Sequence, residues 1–367
     1  MKDIHRKNVL LIGKYPPMQG GIAAKTFWLY KRLAKNGYNF RVVTIEIENY
    51  SVPVIKDDIK VFSVDKASTP WHIPDSSLYF DRILNKCFEA LANFTPDIIE
   101  TNYLWPFCSV AIHLSKILNK PLLIRHAGSD ILKFYTSNEF RDIIKRYFEQ
   151  ASIIVTNNTS IEIVSELCND KTKIRLTDRY IPDPDYFHDL KHPKQYDILF
   201  AGKINYYWKH KGISYLLEYI KAYNLHALLL CDGNYIDEIY SLVDKQKLEN
   251  NIEIKKFVHP YEMPAIINKS NTVWCWDEEG SIDDFSNIIW EACYCNVECL
   301  INEKIEKTTD LKKMKELFSE NLLEFKKVES MSYFNNEISF SNSINLEAII
   351  KEFKLYIDQN VSIYNNI

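Results

Sequence analysis

The sequence predicts an α/β protein of two doubly wound, Rossmann-like halves, and three observations carry that expectation. Short β-branched and apolar runs alternate with stretches of helical periodicity along most of the chain, the pattern of βαβ units and a parallel sheet covered on both faces. The opening pattern occurs twice: Val9-Leu10-Leu11-Ile12-Gly13-Lys14 followed by Gly21-Ile22, and Ile198-Leu199-Phe200-Ala201-Gly202-Lys203 followed by Gly212-Ile213. Between them lie Ile181-Pro182-Asp183-Pro184-Asp185 and a polar, basic stretch to Lys194, a Pro-rich connection suited to a domain boundary. Residues 1–185 are therefore expected as a first domain, 186–345 as a second and 346–367 as a closing helix.

Asn8 to Ile12 reads as a buried strand. The next segment sets Ala23, Phe27, Tyr30 and Ala34 on one helical face, and Asn36-Gly37 ends it. Arg41 to Ile45 and Ile59 to Val64 read as further strands. Phe80, Leu84, Cys87 and Leu91 make another helical stripe. A strand from Asp97 to Thr101, a helix near Cys108 to Leu118 and strands at Leu122 to Arg125 and Ile153 to Thr156 follow. In the second half the strand Asp197 to Ala201 leads into a stripe of Ile213, Leu216, Leu217 and Ile220, and Ala227 to Cys231 is a strand again. Thr272 to Trp276 and the residues near Leu300 read as strands flanking a helix. Beyond residue 301 the pattern weakens: Lys307 to Phe318 reads as a helix, Ser330 to Ser343 as polar and irregular, and Leu346 to Ile357 as a last amphipathic helix.

Composition narrows the function classes. With 9 glycines and 13 prolines in 367 residues, and with 46% hydrophobic and 13% aromatic residues, the chain is neither collagen-like nor low-complexity nor wholly disordered. A formal net charge of −4 without long one-sign blocks argues against a protein that coats nucleic acid. The apolar run after Lys7 stops at Gly13, too short for a signal or a spanning segment, so the eight cysteines are expected as reduced thiols in the cytoplasm. Cys293, Cys295 and Cys299 cluster without paired partners at metal-ligand spacing. They read as core residues, and no metal site is expected.

Open α/β sheets bind ligands at the carboxyl ends of their strands, in the loops entering the following helices, and five such loops stand out. Gly13 to Gly21 follows a strand and opens a helix. Gly20 and Gly21 would let a ligand reach backbone N–H groups where phosphate is favoured, although the spacing is not the G-x-G-x-x-G dinucleotide fingerprint. Arg125-His126-Ala127-Gly128-Ser129-Asp130 sets a histidine at a strand end, where contact with a sugar hydroxyl or phosphate and a purely structural role compete evenly, with Asp130 as a cap of the next helix. Gly202-Lys203 with Lys209, His210, Lys211 and Gly212 ahead of a helix gathers cations that would stabilise a departing diphosphate; a solvated basic loop is the competing reading. Cys231-Asp232-Gly233-Asn234 reads as an ordinary turn. The fifth loop, Asp283 to Ala292, is the most informative. Backbone N–H groups of Ser286 to Ile288 would make an anion-binding helix start, and a carboxylate accepts paired hydrogen bonds from vicinal sugar hydroxyls. Glu291 sits among Ile288, Trp290 and Ala292, which a solvated acidic loop does not explain.

Taken in order, these motifs resemble the retaining GT-B glycosyltransferases of the large group often called family four or group one. The family's pattern of an acid, seven residues and Glu, with Phe-Gly or Phe-Pro after the acid, is similar to Asp283 to Ala292. The Gly-Gly-Ile loop at Gly20, the strand-end His126, Gly202-Lys203 with Lys211-Gly212, the Asp232-Gly233 turn, and Phe257-Val258-His259 with Glu262 and Pro264 fall in family order. The resemblance spans nearly the whole chain to about residue 301. It implies two Rossmann-like domains facing each other across a cleft, the first for an acceptor and the second for a nucleotide-sugar donor, with the last helix crossing back to the first domain. It further implies that Gly20 and Gly21 approach the donor, that Lys203 and Lys211 bind the diphosphate, that Glu291 holds the ribose and that Val258 lies in the loop holding the base. Asp283 and the backbone from Phe285 through Ser286, Asn287 and Ile288 would hold the transferred sugar, and His126 would contact it near the reacting carbon.

The activity so implied is transfer of a hexose-type sugar from a UDP- or GDP-sugar, with retention, to a glycan, lipid-linked or small-molecule acceptor. No cofactor and no metal enter it. The implied setting is the cytoplasm, with peripheral contact at the inner membrane face as an option: Trp28, Lys31 and Arg32 suit lipid head groups, and a solvated helix face explains them equally well. Lys203 stands where the family has Arg, Asp283 where it has Glu, and Tyr294-Cys295-Asn296 where it has Ala-x-Gly. A nucleotide-sugar-binding scaffold subunit is accordingly a second reading, and a GT-B sugar-nucleotide epimerase a third.

Overall fold

The computed structural model describes residues 7–46, 59–65, 77–126, 129–135, 138–158, 160–177, 180–256, 258–276, 286–301 and 346–367. Asp283, Phe285, Phe257, Gly128 and the expected helix from Lys307 to Phe318 lie outside the described residues. The chain divides into two compact units, Met1–Ile181 with Lys354–Ile367, and Pro182–Phe353.

In the first unit β1 (Asn8–Ile12), β2 (Asn39–Ile45), β3 (Lys60–Val64), β4 (Ile98–Thr101), β5 (Leu122–Arg125), β6 (Ile153–Thr156) and β7 (Ile174–Leu176) form one parallel sheet. Their order is β3-β2-β1-β4-β5-β6-β7. The strand order reverses at β1, where Leu10 stands opposite Arg41 of β2 on one side and Ile99 of β4 on the other. Helices α1 (Gly21–Lys35), α2 (Ser77–Leu91), α3 (Ser109–Leu118), α4 (Ser129–Tyr135), α5 (Asn138–Gln150) and α6 (Ile161–Leu167) complete the unit. Strands covered on both faces read as unbroken apolar runs, which is why β1 and β6 were legible. One core joins Leu10, Ile12 and Ile99 of the sheet to Ile83 and Cys87 of α2 and Val110 and Leu114 of α3. Trp28, read as touching lipid head groups or as part of a solvated helix face, is instead 2% exposed and meets Phe27 edge-on at 5.1 Å. Its indole belongs to the core because α1 is buried on more than the one face its periodicity suggests.

In the second unit β8 (Tyr196–Lys203), β9 (Ala227–Asp232), β10 (Ile252–Lys255), β11 (Ser270–Cys275) and β12 (Glu298–Ile301) form a parallel sheet in the order β10-β9-β8-β11-β12. With them stand α7 (Tyr207–Tyr223), α8 (Ile236–Gln246), α9 (Met263–Asn268) and α10 (Asn287–Tyr294). Its core packs Ile213, Leu216 and Ile220 of α7 against Phe200, Leu229 and Trp274 of the sheet.

The last helix, α11 (Leu346–Asn365), begins in the second unit, and its residues from Lys354 belong to the first. It runs past the expected end at Ile357 because Asn360 is fully buried and its amide donates to the Tyr356 carbonyl at 2.8 Å, one turn back. Further on, Lys7 Nζ donates to the Tyr364 carbonyl at 2.6 Å and the Tyr38 hydroxyl to Asn365 Oδ1 at 3.0 Å. The Tyr364 hydroxyl donates to Glu100 Oε2 at 2.5 Å, and Arg125 Nε donates to Glu100 Oε1 at 2.7 Å. Among the described residues no helix is long and apolar enough to cross a membrane.

Candidate functional site

At the strand-order reversal of the first unit, the carboxyl ends of β1 and β4 are tied together by Asn102. Its Oδ1 accepts the Lys14 N–H at 2.7 Å, and its Nδ2 donates to the Lys14 carbonyl at 2.9 Å and to Thr26 Oγ1 at 2.8 Å. A Cβ on Gly13 would lie 2.0 Å from Asn102 Oδ1, so glycine is required for this approach. Gly20, at φ 112°, precedes α1, which has no side-chain cap and no acidic residue in its first turn. The positive end of the α1 dipole therefore opens on this edge at Gly20 and Gly21.

His126 follows β5, with its Nε2 2.7 Å from Thr156 Oγ1 at the end of β6. Burial pushes its pKa down to about 4; the Asp130 carboxylate opposes that shift and the Lys25 ammonium on α1 adds to it. Asp130 is fully buried and does more than cap α4, accepting the Leu104 N–H at 2.9 Å as well as that of Ile131 at 2.9 Å. It thereby holds the kinked segment Leu104–Cys108, extended at Trp105, that enters α3. A pH signature follows for His126. The unfolded chain takes up a proton near pH 6.5, the folded chain only near 4, so in that window the unfolded state binds more protons. Stability contributed by this group is complete above pH 6.5 and falls as the pH drops toward 4. His126→Gln is expected to flatten that limb of the melting-temperature profile, and an unaltered limb would assign the acid loss to other groups.

In the second unit β8 ends in Gly202-Lys203, with Lys203 in register with Asp232 of β9. Helix α7 starts earlier than expected, at Tyr207, and the Tyr206 carbonyl accepts the N–H groups of Lys209 and His210 at 3.0 and 3.2 Å. Lys209, His210, Lys211 and Gly212 thus occupy the first two turns of the helix instead of a loop ahead of it. Gly212 is not a helix boundary. A Cβ there would lie 2.3 Å from Trp276 Cγ, so this glycine is the contact through which α7 meets the residue after β11. Gly212→Ala is expected to cost roughly 1–3 kcal/mol by overpacking, read as a lower melting temperature with altered Trp fluorescence.

The helical setting spreads the cations around α7. His210 Nε2 lies 3.4 Å from Glu238 Oε2 of α8, Lys209 Nζ lies 5.0 Å from the Trp208 ring and Lys211 Nζ 6.0 Å from the Tyr215 ring. His210 is therefore drawn to a carboxylate, while Lys203 remains at the strand end.

Ser286 precedes α10 with φ −54° and ψ 136°, its carbonyl accepting the Ile289 N–H at 3.0 Å, so Asn287 and Ile288 form the helix start. Glu291 is 5% exposed, about one turn from that start. Burial, and after it the Glu291 charge, raises the thiol pKa of Cys295 one turn further on. Asn296 adopts φ 56°, the left-handed conformation that glycine enters most readily and that asparagine tolerates. Its side chain also bonds Asp189, whose pKa lies below the usual range mainly through Lys191.

Val258 is half-buried and leads into a reciprocal cap. His259 Nδ1 accepts the Tyr261 N–H at 3.3 Å, and the His259 N–H donates to Glu262 Oε1 at 3.2 Å. That cap fixes the turn Pro260–Glu262 before α9, which packs against α10. Glu262 and His259 are thereby explained by structure alone. Cys293, Cys295 and Cys299 are buried free thiols, and among the described residues no group of three or more His, Cys, Asp and Glu is placed to hold a metal ion. Asn102, Thr156, Lys25 and Trp276 carry no periodic or motif signal, and sequence reasoning missed them.

No protein-family model matches the chain, and no curated protein matches it by sequence. Solved structures do match. Sucrose-phosphate synthase from Thermosynechococcus elongatus has a TM-score of 0.59 at 14% identity, covering 98% of this chain and 99% of that one. Anabaena Alr3699/HepE in complex with UDP-glucose gives 0.58 at 12% identity, covering 98% and 99%. UDP-N-acetylglucosamine 2-epimerase from Rickettsia bellii gives 0.57 at 15% identity, covering 99% and 97%. With two all-parallel sheets and a helix passing from the second unit to the first, the chain has the GT-B fold.

Proposed function

We propose that the protein is a retaining glycosyltransferase that moves a hexose-type sugar from a UDP- or GDP-sugar to a glycan, lipid-linked or small-molecule acceptor. The observation that carries this reading is Glu291, a carboxylate 5% exposed on an apolar helix, in the unit whose first strand ends in Gly202-Lys203. A carboxylate placed there can accept paired hydrogen bonds from the vicinal hydroxyls of a ribose. HepE, of the same fold, was solved with UDP-glucose.

In this reading the second unit binds the donor. Glu291 accepts from the ribose, the turn at Val258 holds the base, and Lys203 and Lys211 neutralise the diphosphate. The N–H groups at Ser286, Asn287 and Ile288, with Asp283 and Phe285, hold the transferred sugar. The bond from the anomeric carbon to the diphosphate oxygen breaks, one to an acceptor hydroxyl forms, and the hydroxyl proton leaves with the departing phosphate. Preorganised cations and a helix start stabilise that departure, so the reading includes neither metal nor cofactor. Gly20, Gly21 and His126 serve the sugar and acceptor from the first unit. With a pKa near 4, His126 is a neutral imidazole at physiological pH and acts as a hydrogen-bonding partner. The same reading places the work in the cytoplasm, at the inner membrane face for a lipid-linked acceptor.

The test is release of free nucleotide from UDP-glucose and GDP-mannose. Release only when an acceptor is present supports the transferase; binding without release marks a scaffold, and sugar inversion without an acceptor marks an epimerase. Lys203→Ala is expected to lower kcat about 100-fold, the usual effect of removing one preorganised charge from a leaving group.

A further inference from the structure

Tyr206 and Tyr207 are 43% and 66% exposed at the carboxyl end of β8, where sheets of this class receive ligands. Aromatic rings contribute to stability by burial, so two adjacent exposed tyrosines in this position require a reason. Neighbouring rings fix their positions. Tyr206 and Trp208 lie parallel, with planes 9° apart and centroids 6.1 Å apart. Tyr207 stacks on His210 at 5.9 Å and meets Tyr235, from the loop after β9, at 6.4 Å and 61°. Two adjacent strand-end loops therefore gather aromatic rings at this edge, Tyr206 with Trp208 and Tyr207 with His210 and Tyr235.

The rim of these rings carries both signs of charge. Lys209 Nζ stands 5.0 Å from the Trp208 ring, and Glu238 pairs with His210 at 3.4 Å. An anionic membrane surface would be matched by cations without opposing acids, and an amphipathic partner helix by aliphatic surface. Flat rings with a hydroxyl or N–H at the edge, flanked by one ammonium and one carboxylate, match a ligand with an apolar C–H face and an equator of hydroxyls. That ligand is a pyranose.

We propose that Tyr206, Tyr207 and Tyr235 form a stacking ledge for a pyranose unit of an oligosaccharide acceptor, in addition to the residues assigned to the donor. The ligand's role as acceptor rests on the transferase reading; its chemistry rests on the ledge alone.

The full-length protein is applied to an immobilised array of neutral, amino-sugar and acidic oligosaccharides and to vesicles of phosphatidylglycerol and phosphatidylethanolamine. UDP-glucose binding is followed in parallel by saturation-transfer NMR. Retention on at least one oligosaccharide is expected, weakened about tenfold or more by the double change Tyr206→Ala and Tyr207→Ala, the equivalent of one stacked aromatic pair. Tyr207→Phe keeps the ring and should keep the retention, and the UDP-glucose signal should be equal in all variants. Retention on no oligosaccharide overturns the proposal, as does retention that the double variant leaves unchanged or a loss confined to vesicles. Should oligosaccharide retention depend on the ledge while UDP-glucose is not bound at all, the ledge stands and the transferase reading falls.

Discussion

Glu291→Ala is expected to abolish nucleotide-sugar binding, and Glu291→Gln to weaken it by about 100-fold or more, with the fold intact in both. A carboxylate accepting two hydroxyls makes two charge-assisted bonds, each of roughly 1.5–3 kcal/mol, and loss of 3 kcal/mol or more corresponds to at least about 100-fold in dissociation constant. Glutamine keeps the shape but turns one acceptor into a donor, which meets the ribose with the wrong polarity. Calorimetric titration with UDP-glucose and GDP-mannose, beside thermal melts, separates binding from folding. A purely structural Glu291 would give unchanged dissociation constants and a shifted melting temperature, and the donor assignment would then fail.

The second large effect concerns stability of the first unit. Glu100 is fully buried, and its two oxygens serve Arg125 at 2.7 Å and the Tyr364 hydroxyl at 2.5 Å. Burial first, and then the charge of Glu100, raises the phenol pKa values of both Tyr30 and Tyr364 well above the usual range. Both therefore stay protonated around the carboxylate. Glu100→Ala leaves the Arg125 charge, 12% exposed, without its carboxylate, a loss typically of about 3–5 kcal/mol. For a unit of this size that is a fall of roughly 10 °C in melting temperature, together with faster proteolysis within α11, which loses the Tyr364 anchor. The double change Glu100→Leu and Arg125→Met should recover most of the loss, because a buried pair is replaced more cheaply than it is broken. A single variant as stable as the parent would show that the cluster is not what secures the helix.

Much of the architecture was legible because fully covered parallel strands must be apolar along their whole length. The strand from Asn8 to Ile12 has the expected bounds, and the repeated strand-Gly-Lys start does mark the first strand of each sheet. The edge strands β7 and β10 escaped notice. They are short and half-exposed, so that Ile174-Arg175-Leu176 and Ile252-Glu253-Ile254-Lys255 offer too few positions for a period to emerge. The polar run after Ile357 concealed eight further helical residues, because a buried Asn360 whose amide nitrogen donates within its own helix looks the same in sequence as a solvated one. Gly212 was read as a boundary for a comparable reason. A helix-interior glycine costs about 1 kcal/mol relative to alanine, and nothing nearby in sequence shows that Trp276 occupies the space a side chain would need.

By itself, then, the sequence determined the fold class, the doubling of the Rossmann-like unit, the helix-start placement of Gly20, the strand-end placement of His126 and Lys203, and the apolar setting of Glu291. Each of these follows from periodicity and composition within a few neighbouring residues. Tertiary structure decided which distant groups meet: Asn102 with Gly13, Thr156 with His126, Trp276 with Gly212, and Tyr364 with Glu100 across 264 residues of chain. Local patterns specify which face of an element is buried. The order of strands in the sheets specifies what that face is buried against, and that order is set by the packing of the whole chain.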